Sequence, residues 1–390
     1  MMKRILMLLL VTASFFLSSC LGVKGNPKPE NSGFAAYKVE FAGDFNPGTY
    51  ENRLPTQDTH ELTINVSAID YDGEVISDYK GMAEVELQFG KVTSVQRIEF
   101  EDGIIENFAV SMKYSADKER IVVHERVVDE ANSTESSTVY KRTGKLGVSP
   151  TIYIEPATIS EIQGNNSGSK GYDSKYNGRN INLKGKEMVV IAVLEGGFYL
   201  KEVGVDDYSS IYLYTYSTPY VDDPSVGYTL PVGSVIEEAN GSVYEFFGFT
   251  EMSFPTFIPK YVKKNGKNTI FVDESLVPEP YDVTAILSSS AEMEKKEALI
   301  VTVKNAYVEN FNENDDSFIS YGQFPVTTES GANIMITTLY TVPSFNPVLE
   351  RDRESKKRFN FTGILKQHTS ARPSNWIMVP RDSNDIEEVK

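Results

Sequence analysis

The feature that most constrains this chain is a period of two in its apolar residues, repeated in short runs from residue 34 onward. The alternation is seen at Leu62, Ile64, Val66, Ala83, Val85, Leu87, Phe89, Phe108, Val110, Met112 and Tyr114. Successive side chains of a β-strand point to opposite faces, so this period predicts strands with one buried face. Because turn sequences such as Asp72-Gly73 and Asp102-Gly103 separate the runs, we expect an all-β fold.

The first 19 residues have the organisation of a secretory signal peptide. Lys3 and Arg4 are followed by an apolar run that is too short to span a bilayer, and small residues come next. The string Leu17-Ser18-Ser19-Cys20 resembles the lipobox of bacterial lipoproteins, and it contains the only cysteine. The resemblance implies a signal peptide at 1–19, lipidation of Cys20 with palmitate among its acyl groups, and a tether at 20–33.

The resemblance also implies a location in the cell envelope. Leu21 is not the aspartate that commonly retains lipoproteins at an inner membrane, so we expect the outer membrane. The sequence does not determine whether the protein faces the periplasm or the cell surface. Since Cys20 is the only cysteine, no internal disulfide can form, and the fold must depend on burial and hydrogen bonds.

The chain is acidic, with a formal net charge of −17. Removal of Lys3 and Arg4 with the signal peptide would leave −19. A body of this charge repels phosphate backbones, so nucleic acid is not an expected partner. Residues 351–372 are an exception, with seven basic residues and two acids. This run predicts a solvated basic loop or, as an alternative, an anion-binding or interdomain ion-pairing surface.

Changes in composition predict the domains. Residues 34–162 carry the first group of strands, and 163–185 are dense in Gly, Asn and Ser and predict a linker. Strand patterns resume over 186–277 and again over 278–390. The segment ELTINVSAIDYDGEVISDYKGMAEVEL resembles the opening of bacterial Ig-like domains, with an acidic turn between two strands. That resemblance implies an Ig-like β-sandwich for 34–162.

The segment 186–277 has a more specific resemblance. Its order of pieces is a valine-rich strand, GGFYL, a polar loop, SSIYLYTY and PVGSVIEEANGSVYEFFGFTEM. This order resembles the OB-fold domain of secreted bacterial nucleases and of lipoproteins of unknown function, but it departs from it at residues 236–240. The last segment, with EALIVTVKNAYVENF and the ending PRDSNDIEEV, has a similar pattern. We therefore expect one OB-like β-barrel at 186–277, and one or two in all.

Groups suited to catalysis are few. The three histidines, His60, His124 and His368, are far apart in the chain, and no thiol is left once Cys20 is lipidated. The sequence has no nucleophile elbow, no phosphate-binding glycine loop and no zinc-type cluster. We expect a protein that is not an enzyme and has no required cofactor.

Acidic turns are the candidate metal sites in the sequence. Asp70 and Asp72 flank a glycine turn, and Asp315 and Asp316 end a run rich in side-chain oxygens. Oxygen ligands suit calcium, so these residues are candidate ligands. The alternative is ordinary turn chemistry, in which Asp and Asn bond to their own backbone.

Aromatic residues give the candidate ligand site. Alternation puts Tyr212, Tyr214 and Tyr216 on one face of a strand, and Tyr199 is expected to join them from its neighbour. Such rings could form a platform for a glycan or protein ligand, or they could pack against the next domain. Between 186 and 274 there are six lysines, no arginine and thirteen acids, a net charge of −7 that suits hydroxyl-rich ligands better than polyanions.

The sequence therefore predicts a membrane-anchored extracytoplasmic lipoprotein that acts as a non-enzymatic binding or structural module. The alternative function is a nucleic-acid-binding accessory of an extracellular nuclease system, which follows only from the family resemblance of the barrel.

Overall fold

The computed structural model describes residues 33–56, 59–113, 115–164, 174–194, 196–368 and 375–390. The predicted signal peptide, Cys20 and all but the last residue of the predicted tether lie outside these ranges. Strands dominate the described residues and the few helices are short, so the predicted all-β class is confirmed.

The N-terminal unit consists of ten strands. They are β1 Ala36–Phe41, β2 Thr59–Ile69, β3 Gly81–Leu87, β4 Lys91–Val92, β5 Arg97–Phe100, β6 Ile104–Lys113, β7 Lys118–Glu119, β8 Ile121–Val128, β9 Tyr140–Val148 and β10 Ile152–Tyr153. Eight of them form two four-stranded antiparallel sheets, in the orders β1-β2-β6-β4 and β5-β3-β8-β9, and β7 pairs with β10.

One hydrophobic core joins the two sheets of the N-terminal unit. Ile64 and Val66 on β2 are fully buried, as are Ala83 and Val85 on β3, and all four belong to the same cluster. The period of two in the sequence thus marks the buried face of each strand. A buried carboxylate, Glu119, accepts hydrogen bonds from the backbone of Phe89, Gly90 and Arg120 and from the hydroxyl of Ser115. These four donors satisfy the carboxylate oxygens, although burial still raises the pKa of Glu119.

A short helix and a closed five-stranded barrel come next. They are α1 Ile159–Gln163, followed by β11 Asn180–Leu194, β12 Gly197–Glu202, β13 Ser210–Tyr214, β14 Val235–Phe246 and β15 Phe249–Pro259. The strand order around the barrel is β11-β12-β13-β15-β14, and β13 and β15 are parallel. We call this the first barrel. Its first strand begins at Asn180, inside the segment predicted as a linker, because Ile181 and Leu183 reach the barrel core.

The departure of residues 236–240 from a regular apolar strand has a structural cause. The pairing of β14 with β15 shifts register between Ile236 and Glu238 and again between Asn240 and Ser242. A β-bulge adds a residue to one strand and changes which side chains face inward. Ile236 and Ala239 are therefore fully buried, although they are three positions apart.

A two-stranded hairpin, β16 Tyr261–Lys264 and β17 Lys267–Ile270, separates the first barrel from the C-terminal unit. That unit contains β18 Tyr281–Asp282, α2 Ser290–Glu294, β19 Ile300–Val308, α3 Asp316–Tyr321, β20 Gln323–Thr327, β21 Asn333–Thr337, α4 Pro347–Asp352, β22 Phe359–Gln367, β23 Trp376–Val379 and β24 Ile386–Glu388. Three short 3₁₀ turns lie at Pro224–Val226, Glu274–Leu276 and Ser383–Asp385.

The strands of the C-terminal unit pair in the order β18-β19-β20-β21-β23-β22-β24. In addition β19 pairs with β22, so β19, β20, β21, β23 and β22 form a ring of pairings. Its one parallel pair is β21 with β23. This is the strand order of the first barrel, with the parallel pair again between the third and fifth strands.

The first barrel and the C-terminal unit share a hydrophobic core. Val189, Ile191, Tyr199, Tyr212 and Phe249 come from the outer side of the first barrel and belong to one cluster with the core of the C-terminal unit. The inner side of the barrel has its own cluster. A shared core of this kind is expected to hold the two units in a fixed relation.

Candidate functional site

A row of aromatic rings runs along the outer side of the first barrel. Tyr199 on β12 and Tyr212 on β13 are direct partners in the sheet, with ring centroids 4.7 Å apart. The row continues through Tyr214 and Tyr216, at centroid distances of 6.1 Å and 4.1 Å, and ends at Phe254 of β15, 5.1 Å from Tyr216. We call these five residues the aromatic ladder.

The alternation in SSIYLYTY explains the ladder. Ile211 and Leu213 point into the barrel and are fully buried in its inner cluster, while Tyr212 belongs to the core shared with the C-terminal unit. The structure thus places the predicted tyrosines on one side of the strand, as the sequence indicates. It also adds Phe254, which the sequence reasoning missed.

The inner end of the ladder is closed to solvent. Tyr199 and Tyr212 are only 1% and 7% exposed. Burial raises the pKa of the Tyr199 hydroxyl well above its usual value. From the C-terminal unit, Lys366 Nζ lies 5.4 Å from the Tyr212 ring centroid and 4.9 Å from that of Phe249, which is cation–π geometry. These two tyrosines therefore hold the barrels together and are not reachable by a ligand.

The outer end of the ladder is open. Tyr216 is 54% exposed and Phe254 is 74% exposed, while Tyr214 is partly buried against the shared core. Tyr216 and Phe254 both have positive φ, at 64° and 52°. A bulky residue in the left-handed region is uncommon, and each such residue costs on the order of 1–3 kcal/mol.

A β-bulge turns Phe254 outward. Asn240 pairs with Thr256 and Ser242 pairs with Ser253, so Phe254 and Pro255 together oppose Gly241. A proline inside a strand pattern is typical of a bulge or an edge. The dipeptide Phe254-Pro255 is therefore the sequence signal that indicates the bulge and the outward position of Phe254.

Glycines allow the rings to lie close to the backbone. A Cβ atom on Gly197 would clash with the Leu213 carbonyl oxygen and would lie 2.8 Å from the Tyr212 ring. One on Gly196 would lie 3.3 Å from the Tyr214 ring. The Gly196-Gly197 turn thus permits the middle of the ladder to pack against the start of β12.

Polar contacts between the first barrel and the C-terminal unit fix the base of the ladder. Ser210 Oγ donates to the carbonyl of Ala298 at 2.8 Å, and the Thr250 amide donates to Glu297 Oε1 at 3.1 Å. Glu297 is 1% exposed, and burial raises its pKa well above the usual carboxyl value. Burial thus favours the neutral form of this carboxyl group.

The candidate calcium ligands serve as turn and cap residues. Asp70 Oδ1 accepts hydrogen bonds from the amides of Asp72 and Glu74, and Asp315 accepts from the amide of Ser317 at the start of α3. In the described part of the chain, no group of three or more His, Cys, Asp or Glu side chains is placed to hold a metal ion. Calcium binding at Asp70, Asp72, Asp315 and Asp316 stays a prediction.

The three histidines occupy separate places. His60 lies on β2 and is buried, His124 lies on β8 within 3.6 Å of Glu86, and the His368 ring stacks on Phe247. Burial lowers the pKa of all three.

The basic run at 351–372 is largely ion-paired within the C-terminal unit. Arg351 contacts Glu313 and Asp352, Arg353 contacts Glu350, Lys357 contacts Glu388 and Arg358 contacts Glu329. Lys366 contacts the aromatic rings of the first barrel and forms no ion pair among the described residues. The interdomain ion-pairing alternative therefore stays a prediction.

A comparison of the chain with protein-family models, curated proteins and solved structures finds no match. Among the residues that the structure describes, no helix has the length and apolar character needed to cross a bilayer.

Proposed function

We propose that this chain is a lipid-anchored protein of the bacterial cell envelope that binds a glycan at the outer end of the aromatic ladder, without catalysing a reaction. The anchor would be the lipid on Cys20, as the lipobox resemblance implies. The outer membrane is the proposed location, and the domains would present the ladder away from the membrane surface.

The arrangement of strands supports the proposed domain types. The orders β1-β2-β6 and β5-β3-β8-β9 resemble the two sheets of Ig-like and fibronectin-type sandwiches. A five-stranded barrel with a parallel pair between its third and fifth strands is typical of OB-folds, and the ring of pairings in the C-terminal unit supports a second barrel of this type.

The observation that carries the proposed function is the pair Tyr216 and Phe254. Both rings are more than half exposed and both residues have a strained backbone. Full burial of such a side chain would stabilise the fold by about 1.5–3 kcal/mol. The exposed rings of Tyr216 and Phe254 lose much of this stabilisation. Since neither burial nor local backbone preference explains these two positions, we infer that they are kept for contact with a ligand.

A glycan fits this site better than the alternatives do. The apolar C–H face of a sugar can lie on an aromatic ring, and its hydroxyls can bond to polar neighbours such as Thr215 and Ser253, which flank Tyr214 in sequence and in the sheet. A nucleic acid would need a basic groove, whereas residues 186–274 carry a net charge of −7.

The test is a glycan-array and pull-down measurement on the intact chain and on Tyr216→Ala plus Phe254→Ala. We expect the double variant to lose binding. The matched control is Tyr321→Ala plus Tyr340→Ala, which removes two exposed tyrosines from the C-terminal unit and should leave binding unchanged. Equal binding by both variants would refute the site, and salt-sensitive DNA binding would favour the nuclease-accessory alternative instead.

A further inference from the structure

The hairpin β16–β17 is a separate projection from the first barrel. Its two strands pair only with each other and are joined by Asn265-Gly266, which has φ values of 52° and 77°. Two consecutive left-handed residues, with glycine second, are typical of a tight hairpin turn. At the base, the Val235 amide bonds to the carbonyl of Phe271, and the Lys260 amide bonds to that of Val235. The hairpin is thus anchored firmly to the barrel.

One face of the hairpin lines a cleft of about 620 Å³. The sheet pairs Val262 with Thr269 and Lys264 with Lys267, so these four side chains share a face. The opposite wall is the loop at Ser225 and Val226, and the floor consists of residues 270–272. Clefts of roughly 300–1,000 Å³ are the size that small-molecule ligands occupy.

Asp223 ties the two walls of this cleft together. Its side chain is 2% exposed and accepts hydrogen bonds from the Ser225 amide at 2.9 Å, the Ser225 hydroxyl at 2.6 Å and the Ile270 amide at 2.8 Å. These bonds lower the pKa of Asp223, with the Ser225 hydroxyl as the largest cause. Because the loop and the hairpin are held by the same carboxylate, the cleft exists before any ligand arrives.

The charged side chains that line the cleft are opposite in sign to the net charge of the chain. Its lining contains Lys264 and Lys267 and no acid. In the described residues, neither lysine has a carboxylate partner, although most of the surrounding barrel sequence is acidic. Four of the six lysines between 186 and 274 lie at 260–267. Two ammonium groups without a carboxylate partner in the described residues thus lie beside Val226, Val262 and Val272, which puts positive charge next to an apolar surface.

We propose that this cleft binds a small organic anion, a carboxylate or a phosphate monoester on an apolar stem. The charged group would lie between Lys264 and Lys267. The apolar stem would contact Val226, Val262 and Val272. This site is independent of the aromatic ladder.

The proposal is tested by titrating the chain, with labelled Val and Ile methyl groups, against phenylacetate and phenyl phosphate by NMR. Phenylacetamide, which lacks the charge, is the ligand control. Methyl shifts at Val226, Val262 and Val272 should saturate with both anions, and the anion with the lower Kd identifies carboxylate or phosphate as the preferred group.

Lys264→Gln plus Lys267→Gln should raise Kd for the anions at least about tenfold. Lys263→Gln is the matched control, because Lys263 lies on the opposite face of the hairpin, and it should change Kd little. Equal affinity for phenylacetamide, shifts located elsewhere, or an unchanged Kd in the double variant would each overturn the proposal. Tyr216→Ala plus Phe254→Ala should leave anion binding intact.

Discussion

Replacing Tyr212 with Ala is expected to destabilise the C-terminal unit as well as the barrel that carries this residue. Tyr212 belongs to the first barrel, but it is 7% exposed within the core that the two units share. Its ring contacts Tyr199 and Phe249 at centroid distances of 4.7 Å and 6.0 Å. Lys366, which belongs to the C-terminal unit, contacts the same ring through its ammonium group. Removing the ring opens a cavity between the units.

The size of the effect follows from the burial. Truncating a buried large aromatic residue to Ala costs about 3–5 kcal/mol, from lost transfer free energy and the cavity together. We take about 4 kcal/mol, since Tyr212 is nearly fully buried. With a urea dependence of about 3 kcal/mol per molar for a unit of this size, the unfolding midpoint should fall by about 1.3 M.

The assay uses Trp376, the only tryptophan of the chain, which is 3% exposed on β23 of the C-terminal unit. The fluorescence of Trp376 reports the unfolding of the C-terminal unit alone. The substituted residue, Tyr212, lies in the first barrel. Ile64→Ala in the separate core of the N-terminal unit is the control and should leave the Trp376 transition in place. If Tyr212→Ala also leaves that transition unchanged, the two barrels do not unfold as one body and the reasoning from the shared core is refuted.

Three further outcomes are expected. Because the pKa of Glu297 is raised, the folded state holds the proton of this carboxyl group more tightly than the unfolded state does. The free energy of unfolding should therefore fall as pH rises above the ordinary carboxyl pKa, by up to about 1.4 kcal/mol per pH unit. Glu297→Gln should flatten this pH dependence in urea titrations and unfold at higher urea near neutral pH. Gly197→Ala should destabilise the first barrel by about 1–3 kcal/mol in thermal unfolding, because the new methyl group meets the Leu213 carbonyl and the Tyr212 ring. Glu119→Ala should lower the free energy of unfolding of the N-terminal unit, measured by circular dichroism, by at least about 1–3 kcal/mol, because four donors lose their acceptor.

Each of these expectations has a contrary result. A pH dependence in Glu297→Gln as steep as in the parent chain would show that another group holds the proton. Normal stability of Gly197→Ala would mean that β12 and β13 can separate without loss. For Glu119→Ala, an unchanged N-terminal transition would mean that water replaces the carboxylate at no cost.

The sequence was sufficient for the all-β class and, in regular strands such as β2 and β13, for the side that is buried. Ile211 and Leu213 point into the barrel and Tyr212 points out of it, as the period of two requires. The sequence reasoning left open whether the tyrosines form a platform or pack on the next domain. The structure divides them, with Tyr199 and Tyr212 packed and Tyr216 exposed.

Two features lay beyond sequence reasoning for a physical reason. Phe254 reaches the ladder only because a bulge in β15 shifts its register, and register depends on the partner strand. The pKa of Glu297 is raised by burial in the assembled structure, where the Thr250 amide of the first barrel donates to its carboxyl group. Neither contact is encoded in a local pattern.

The sequence by itself determined the all-β class, the alternation of inner and outer side chains, and the string around Cys20 on which the proposed anchor depends. These are local properties, because a period of two and a short motif need no distant partner. Only the tertiary structure decided that the first barrel and the C-terminal unit share one core, that the ladder has a closed end and an open end, and that Lys264 and Lys267 line a cleft. Those results depend on residues far apart in the chain meeting across packed surfaces, which no local pattern specifies.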